Sequence, residues 1–293
     1  MNEFEIAISA EELDLDHCVM SGQVFRWSRQ GEGRWLGIDG ENWYAVEKID
    51  GGYAVQSTGT EADFRAHFRL EETLVDVVAE IGASLPESAA VAASGFRLMR
   101  PSCPRETLFA FLCSPNNHLL RITSMVNALA EFGEPMSRGH GHRFPSLERI
   151  AGIDESELRA KGFGYRSPRI PGAARAILER GGEPYLAELK IAPYETAFNE
   201  LIKIDGIGPK LSDCICLFAF DHGVAVPVDT HMWQAATRNF FPQWHGTALT
   251  ELRYRAVGDY LRSRLGERAG WAHLYLYREN QVMARSRKYT EPK

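Results

Sequence analysis

The sequence predicts an α+β protein, with an antiparallel sheet first and a long run of helices after it. Two observations carry this expectation. Between residues 23 and 56, β-rich runs alternate with glycine turns. From Glu61 onward, apolar residues recur at helical spacing. With 293 residues, 44% of them hydrophobic, the chain can bury one large or two medium cores.

The strand runs are Val24-Phe25-Arg26-Trp27, Arg34-Trp35-Leu36-Gly37-Ile38, Trp43-Tyr44-Ala45-Val46 and Tyr53-Ala54-Val55. Gly31-Glu32-Gly33, Asp39-Gly40 and Asp50-Gly51-Gly52 separate them. Asp-Gly between apolar runs is a hairpin signal, because glycine accepts the positive φ that tight hairpin turns need. Phe64, Phe68, Leu74, Val77, Val78 and Ile81 then fall on one helical face. Pro86 and the Ala/Ser-rich stretch 88–94 loosen the pattern, which sets a boundary near residue 98. Residues 1–98 are expected as the sheet domain and 99–293 as the helical region. Within the latter, helices are predicted over 105–113, 118–132, 146–151, 155–161, 170–180, 184–189, 193–203, 209–221, 230–239, 247–264 and 268–283.

Bulk properties exclude several classes. No stretch approaches the roughly 20 apolar residues of a membrane span. The acidic, alternating N-terminus lacks the basic and then apolar run of a signal peptide, so the expected compartment is cytoplasmic. Five cysteines in a long chain argue against a disulfide framework, and Cys214 with Cys216 makes C-x-C rather than a zinc or iron–sulfur spacing. The net charge of −6 leans away from nucleic acid, but residues 252–293 hold ten Lys/Arg against four Asp/Glu, so a basic face remains open beside a solvated helical surface.

The sharpest feature is Leu201-Ile202-Lys203-Ile204-Asp205-Gly206-Ile207-Gly208-Pro209-Lys210. A helix ends, Gly206-Ile207-Gly208 turns, and Pro209 opens the next helix, where its missing N–H costs nothing. The glycines allow a close approach and leave amides free at a helix N-terminus, a geometry that binds phosphate without a side chain. This is the helix–hairpin–helix signature of sequence-independent DNA binding. Lys210 falls in the first turn, where the helix dipole disfavours a cation, so its pKa is expected to be lowered and its amine nucleophilic. Further on, Val226-Pro227-Val228-Asp229-Thr230-His231 sets Asp229 just before another helix. An ordinary N-cap explains that Asp, and a carboxylate aimed at a reacting sugar explains it equally; capping would fix its direction in either case.

Further motifs flank these two: Ser21-Gly22-Gln23-Val24-Phe25-Arg26-Trp27, Cys113-Ser114-Pro115-Asn116-Asn117-His118, Gly164-Tyr165-Arg166, and Arg262-Ser263-Arg264-Leu265-Gly266-Glu267-Arg268-Ala269-Gly270-Trp271-Ala272. Together with the segment from Gly206 to Trp233 they span nearly the whole chain. In that order they resemble the helix–hairpin–helix, Gly/Pro-rich, Asp superfamily of DNA glycosylases, and within it the 8-oxoguanine DNA glycosylases. The resemblance implies a TATA-binding-protein-like N-terminal sheet beside two all-helical subdomains, with DNA in the helical cleft. It implies excision of 8-oxoguanine opposite cytosine, followed by β-elimination through a lysine Schiff base.

Matched by position, Lys210 attacks C1′ of a flipped nucleotide and Asp229 is the essential carboxylate. The Gly22 carbonyl reads the N7–H that distinguishes 8-oxoguanine from guanine. Cys214 and Tyr277 take the two faces of the base, with Tyr277 standing where the family usually has Phe. Asn116 fills the vacated stack. Arg121, Tyr165 and Arg166 wedge the helix and read the estranged cytosine, Gly206 and Gly208 hold the backbone, and His231 lies near a phosphate. The implied partner is a duplex carrying an oxidised purine, met by a monomer. No redox cofactor, catalytic metal or membrane is implied.

The chain departs from the pattern twice. His273 stands where the family commonly has Gln, and a neutral imidazole cannot make the same bidentate contact with a base edge. Asp205 stands where Pro is usual, and puts a carboxylate near the phosphate site. Two alternatives stay open: a glycosylase of the same superfamily for another damaged purine, and a non-catalytic helix–hairpin–helix DNA-binding protein.

Overall fold

Five strands form one antiparallel sheet in the order β1-β5-β4-β3-β2, with β1 at Asn2–Ala7, β2 at Trp27–Gly31, β3 at Arg34–Asp39, β4 at Asn42–Ile49 and β5 at Gly52–Ser57. The structure is a computed structural model that describes residues 1–91 and 93–290, with backbone alone at 90–91 and 284–290. Gly40 and Gly51 turn the two tight hairpins at φ +57° and +79°, a conformation that other residues rarely adopt. Gly37 is required for a different reason. A Cβ there would lie 2.1 Å from the Trp27 ring, which stacks on Tyr44 and His67 in the sheet's core.

Two strand expectations need correction. The N-terminal alternation, read above only for its charge, is the edge strand β1, which buries Ile6 and points Glu3 and Glu5 outward. Charges on an exposed edge discourage pairing with other chains. The first predicted strand, 24–27, begins only at Trp27. Its apolar residues serve another surface: Phe25 packs edge-on against Phe111 of the helical region at 5.8 Å. The buried Gln23 amide is spent on the backbone of Arg97 and Met99.

Four helices cover the sheet domain: α1 (Leu15–Val19), α2 (Glu61–His67), α3 (Leu74–Gly82) and α4 (Glu87–Val91). The helical region continues with α5 (Pro104–Leu112), α6 (Leu119–Ala130), α7 (Leu147–Ala151), α8 (Glu155–Ala160), α9 (Arg169–Glu179) and α10 (Glu183–Ile191). Then come α11 (Tyr194–Ile202), α12 (Pro209–Phe218), α13 (Thr230–Asn239), α14 (Glu251–Leu265) and α15 (Ala269–Thr290). The predicted helices all form, with ends displaced where a cap acts. Thr250 caps Arg253, so α14 starts at Glu251 rather than 247. No helix among the described residues is long and apolar enough to cross a membrane.

One continuous apolar core runs from the sheet into the helices. Arg97 organises its polar seam. Its side chain is fully buried and donates to the carbonyls of Phe68 (2.8 Å), Glu12 (2.9 Å), Arg69 (2.6 Å) and Glu72, and to the Glu12 carboxylate (3.0 Å). An apolar residue of similar length would leave those acceptors unpaired. Arg97→Met is therefore expected to lower unfolding free energy by about 3–5 kcal/mol, read from denaturant melts with unchanged m-value. A loss under about 1 kcal/mol would mean water replaces the guanidinium freely.

Candidate active site

Two helix N-termini meet at one cavity. The helix–hairpin–helix turn supplies the first. Gly206 adopts φ +88°, Ile204 and Ile207 anchor the hairpin in the core, and Gly208 caps α12 with no side chain over its first amides. Pro209 is the first residue of α12, and Lys210 follows it. The second N-terminus is that of α13. Asp229 caps it, its Oδ1 accepting from the Met232 amide at 2.9 Å. Asp229 is thus the N-cap anticipated from sequence, and its second oxygen is not used by the cap.

The cavity encloses about 610 Å³. Gly22, Asn116, Lys210, Cys214, Asp229, His231, His273 and Tyr277 all line it, drawn from separate stretches of the chain. Gly22 sits in the turn before β2 at φ +91°, with Leu119 beside it, so the turn itself demands glycine. Phe111, Phe218, Leu274, Ser114 and Gln281 also line the cavity, and nothing in the sequence assigned them a role. The two phenylalanines stack at 5.3 Å to form an apolar floor, a role indistinguishable in sequence from ordinary core.

Lys210 differs from expectation. Its ammonium is held above the ordinary lysine value, first by the Cys214 sulfur and also by the Asp229 carboxylate, with burial pulling the other way. The lowered value expected from the helix dipole is thus corrected to a raised one. Its Nζ lies 5.9 Å from the Phe111 ring centroid. Three other groups that line the cavity are neutral at neutral pH. Burial pushes the Cys214 thiol up to about 11 and lowers His273 to about 4, while burial with Asp229 nearby lifts Tyr277 to about 12. The His273 ring lies against the Pro227 carbonyl, and its buried Nδ1 has no hydrogen-bond partner among the described residues. Tyr277 stands between two imidazoles, edge-on to His231 at 5.5 Å and roughly parallel to His273 at 6.2 Å. His231 Nδ1 pairs with the Asn280 amide at 3.3 Å.

The remaining site residues form a ridge beside the cavity. Asn116 stands at the tip of the α5–α6 loop at φ +50°, a strained conformation for a residue other than glycine. Tyr165 donates to the Pro115 carbonyl at 2.9 Å, and Arg166 donates to the same oxygen. Tyr165 is 46% exposed, as a wedge requires, but Arg166 is only 4% exposed and lies 4.4 Å from the Tyr165 ring centroid. In this form Arg166 braces the Asn116 loop rather than facing solvent. Arg121 is exposed and donates to the Gly162 carbonyl at 3.1 Å.

The chain matches two family models over adjacent stretches. Residues 5–108 match the 8-oxoguanine DNA glycosylase N-terminal domain, and residues 109–256 match the HhH-GPD superfamily base excision DNA repair protein. It is 33% identical to the N-glycosylase/DNA lyase OGG1 of Arabidopsis thaliana, over 94% of this chain and 79% of that protein. It is 30% identical to the N-glycosylase/DNA lyase of Saccharomyces cerevisiae, over 93% and 85%. The Clostridium acetobutylicum 8-oxoguanine glycosylase/lyase bound to dsDNA with cytosine opposite 8-oxoG superposes with a TM-score of 0.82 at 24% identity, over 97% of this chain and 99% of that one.

Burial makes the cavity's thiol inert despite its lysine neighbour. Iodoacetamide at neutral pH is expected to leave Cys214 unmodified in the folded protein and to label it after denaturation, read by peptide mass mapping. Rapid labelling of the native protein would show that Cys214 is a thiolate there.

Proposed function

Since the chain belongs to the HhH-GPD superfamily, in its 8-oxoguanine glycosylase branch, and is a DNA glycosylase with lyase activity, we propose that it removes 8-oxoguanine from opposite cytosine and cuts the strand through a Schiff base on Lys210. One observation carries this reading: an amine and a carboxylate share a single cavity with Cys214 and Tyr277, at two helix N-termini.

A duplex base cannot reach that cavity while stacked, so the nucleotide must flip out. Asn116 and Tyr165 then occupy the gap, and Arg121 and Arg166 meet the orphaned cytosine. Arg166 must then leave the Pro115 carbonyl. The flipped base lies between Cys214 and Tyr277, a contact worth about 1–3 kcal/mol for an aromatic face. The Gly22 carbonyl accepts N7–H of the lesion and would face a lone pair in guanine. The acceptor nitrogen of His273 suits the N–H donors on a guanine-type Watson–Crick edge, a single contact where a Gln amide would offer two.

The C1′–N9 bond breaks, and the base leaves with the bonding pair and takes up a proton. Asp229 stabilises the positive charge that develops at C1′. Lys210 Nζ bonds to C1′, the ring C1′–O4′ bond opens, and an imine results. Loss of a C2′ proton then expels the 3′ phosphate with the C3′–O3′ bonding pair. Lys210 rests as an ammonium, so it must lose a proton before it attacks. The hairpin amides and the first turn of α13 hold the flanking phosphates.

Single-turnover cleavage of a duplex with one 8-oxoguanine opposite cytosine is expected, with a borohydride-trapped adduct alongside. Lys210→Gln should abolish both while duplex binding persists, and Asp229→Asn should slow excision about 100-fold or more. Near-normal excision by Lys210→Gln would remove the lysine from the mechanism. An adduct on abasic DNA alone would keep Lys210 and move the substrate to another lesion. Because Lys210 rests protonated, trapping on preformed abasic DNA should accelerate with pH, approaching tenfold per unit between about pH 6 and 9. A flat profile would mean the amine is already free at neutral pH.

A further inference from the structure

Residues 225–228 lead the chain to Asp229 in neither helix nor strand, yet all are buried. Such a stretch must pair its amides outside any helical or sheet ladder. Ala225 donates to the His222 carbonyl at 3.0 Å, and Pro227 has no amide. The other two amides face side chains: Val226 N–H the Asp213 carboxylate, and Val228 N–H the Tyr254 hydroxyl.

These partners are joined to each other. Tyr254 donates to Asp213 Oδ2, and Tyr194 donates to Oδ1 at 2.7 Å. Arg262 reaches the Tyr194 hydroxyl at 3.2 Å. Asp213 is 1% exposed and sits three residues after Lys210 in α12. From the other side, His273 of α15 faces the Pro227 carbonyl. Three successive residues before Asp229 are therefore gripped from α12, α15 and α14 in turn. Neither Asp213 nor Tyr254 lines the cavity.

We propose that Asp213, Tyr254 and His273 act as a clamp on Val226-Pro227-Val228 that sets where the Asp229 carboxylate stands relative to Lys210. Asp213 and Tyr254 are positioning residues. A buried, ionisable Asp in the lysine helix is costly unless fully paired. Here its pairing ties the nucleophile's helix to the carboxylate's segment, so the two reacting groups share one frame. The functional half of this inference rests on the Lys210 and Asp229 reading above.

The test uses the full chain with Tyr254→Phe, which keeps the ring and removes the hydroxyl. Asp213→Asn, which keeps the shape and an acceptor, serves as the second variant. Two measurements are made. Amide hydrogen exchange by NMR should show Val226, Val228 and Met232 protected in wild type, with Val228 and Met232 at least about tenfold faster in Tyr254→Phe. Single-turnover excision should fall roughly 10- to 100-fold, while trapping on preformed abasic DNA, which needs no base departure, changes by less than about threefold.

Fast exchange of Val226 and Val228 in wild type would overturn the clamp. So would wild-type excision by both variants, or an equal loss of excision and trapping that follows a drop in Tm. If wild type fails to excise while Met232 exchange still responds to Tyr254→Phe, the substrate reading fails and the clamp on Asp229 stands.

Discussion

The hydrogen bond from the Met232 amide to Asp229 Oδ1 is the constraint on which the site depends. A free carboxylate on an irregular segment would swing through several rotamers. As an N-cap it has one direction, set by α13, and one oxygen left over. The hairpin glycines do the same for Lys210, because Gly206 and Gly208 deliver the chain into α12 with the lysine in its first turn. Both reacting groups are therefore aimed by backbone geometry. Two positive helix ends then converge on one cavity.

The charge balance inside the cavity is simple. Cys214, His273 and Tyr277 are all neutral at neutral pH because burial disfavours their charged forms. Lys210 and Asp229 are left as the opposed pair, in surroundings that strengthen any field they create. On the proposed reading, a purine between Cys214 and Tyr277 meets neutral faces, so its selection falls to hydrogen bonds at its edges. The ammonium ground state of Lys210 fits this arrangement. It protects the amine from unproductive chemistry and ties the attack to loss of one proton.

Much of this was legible in the sequence because local rules and tertiary demands agree. The hairpin glycines, Pro209, the Asp229 cap and the helix periods each have a physical signature within a few residues. Failures came where tertiary contacts overrode local pattern. Val24-Phe25-Arg26 looks like a strand, but Phe25 is spent on Phe111 across the inter-domain core. Glu3-Phe4-Glu5-Ile6 reads as charge, but pairs with β5 once a sheet exists. Arg166 resembles a solvated cation and is buried on the Pro115 carbonyl. The direction of the Lys210 shift was missed because Cys214 and Asp229 reach it through space. Asp213 and Tyr254 lie forty-one residues apart, and nothing local links them.

The most direct test of the account is the position of the covalent bond. Borohydride reduction of the complex with an 8-oxoguanine·cytosine duplex, followed by nuclease and protease digestion, lets mass spectrometry locate the sugar remnant. The account predicts it on Nζ of Lys210 in the peptide that contains the hairpin. A remnant on the N-terminal amine or another lysine would contradict it.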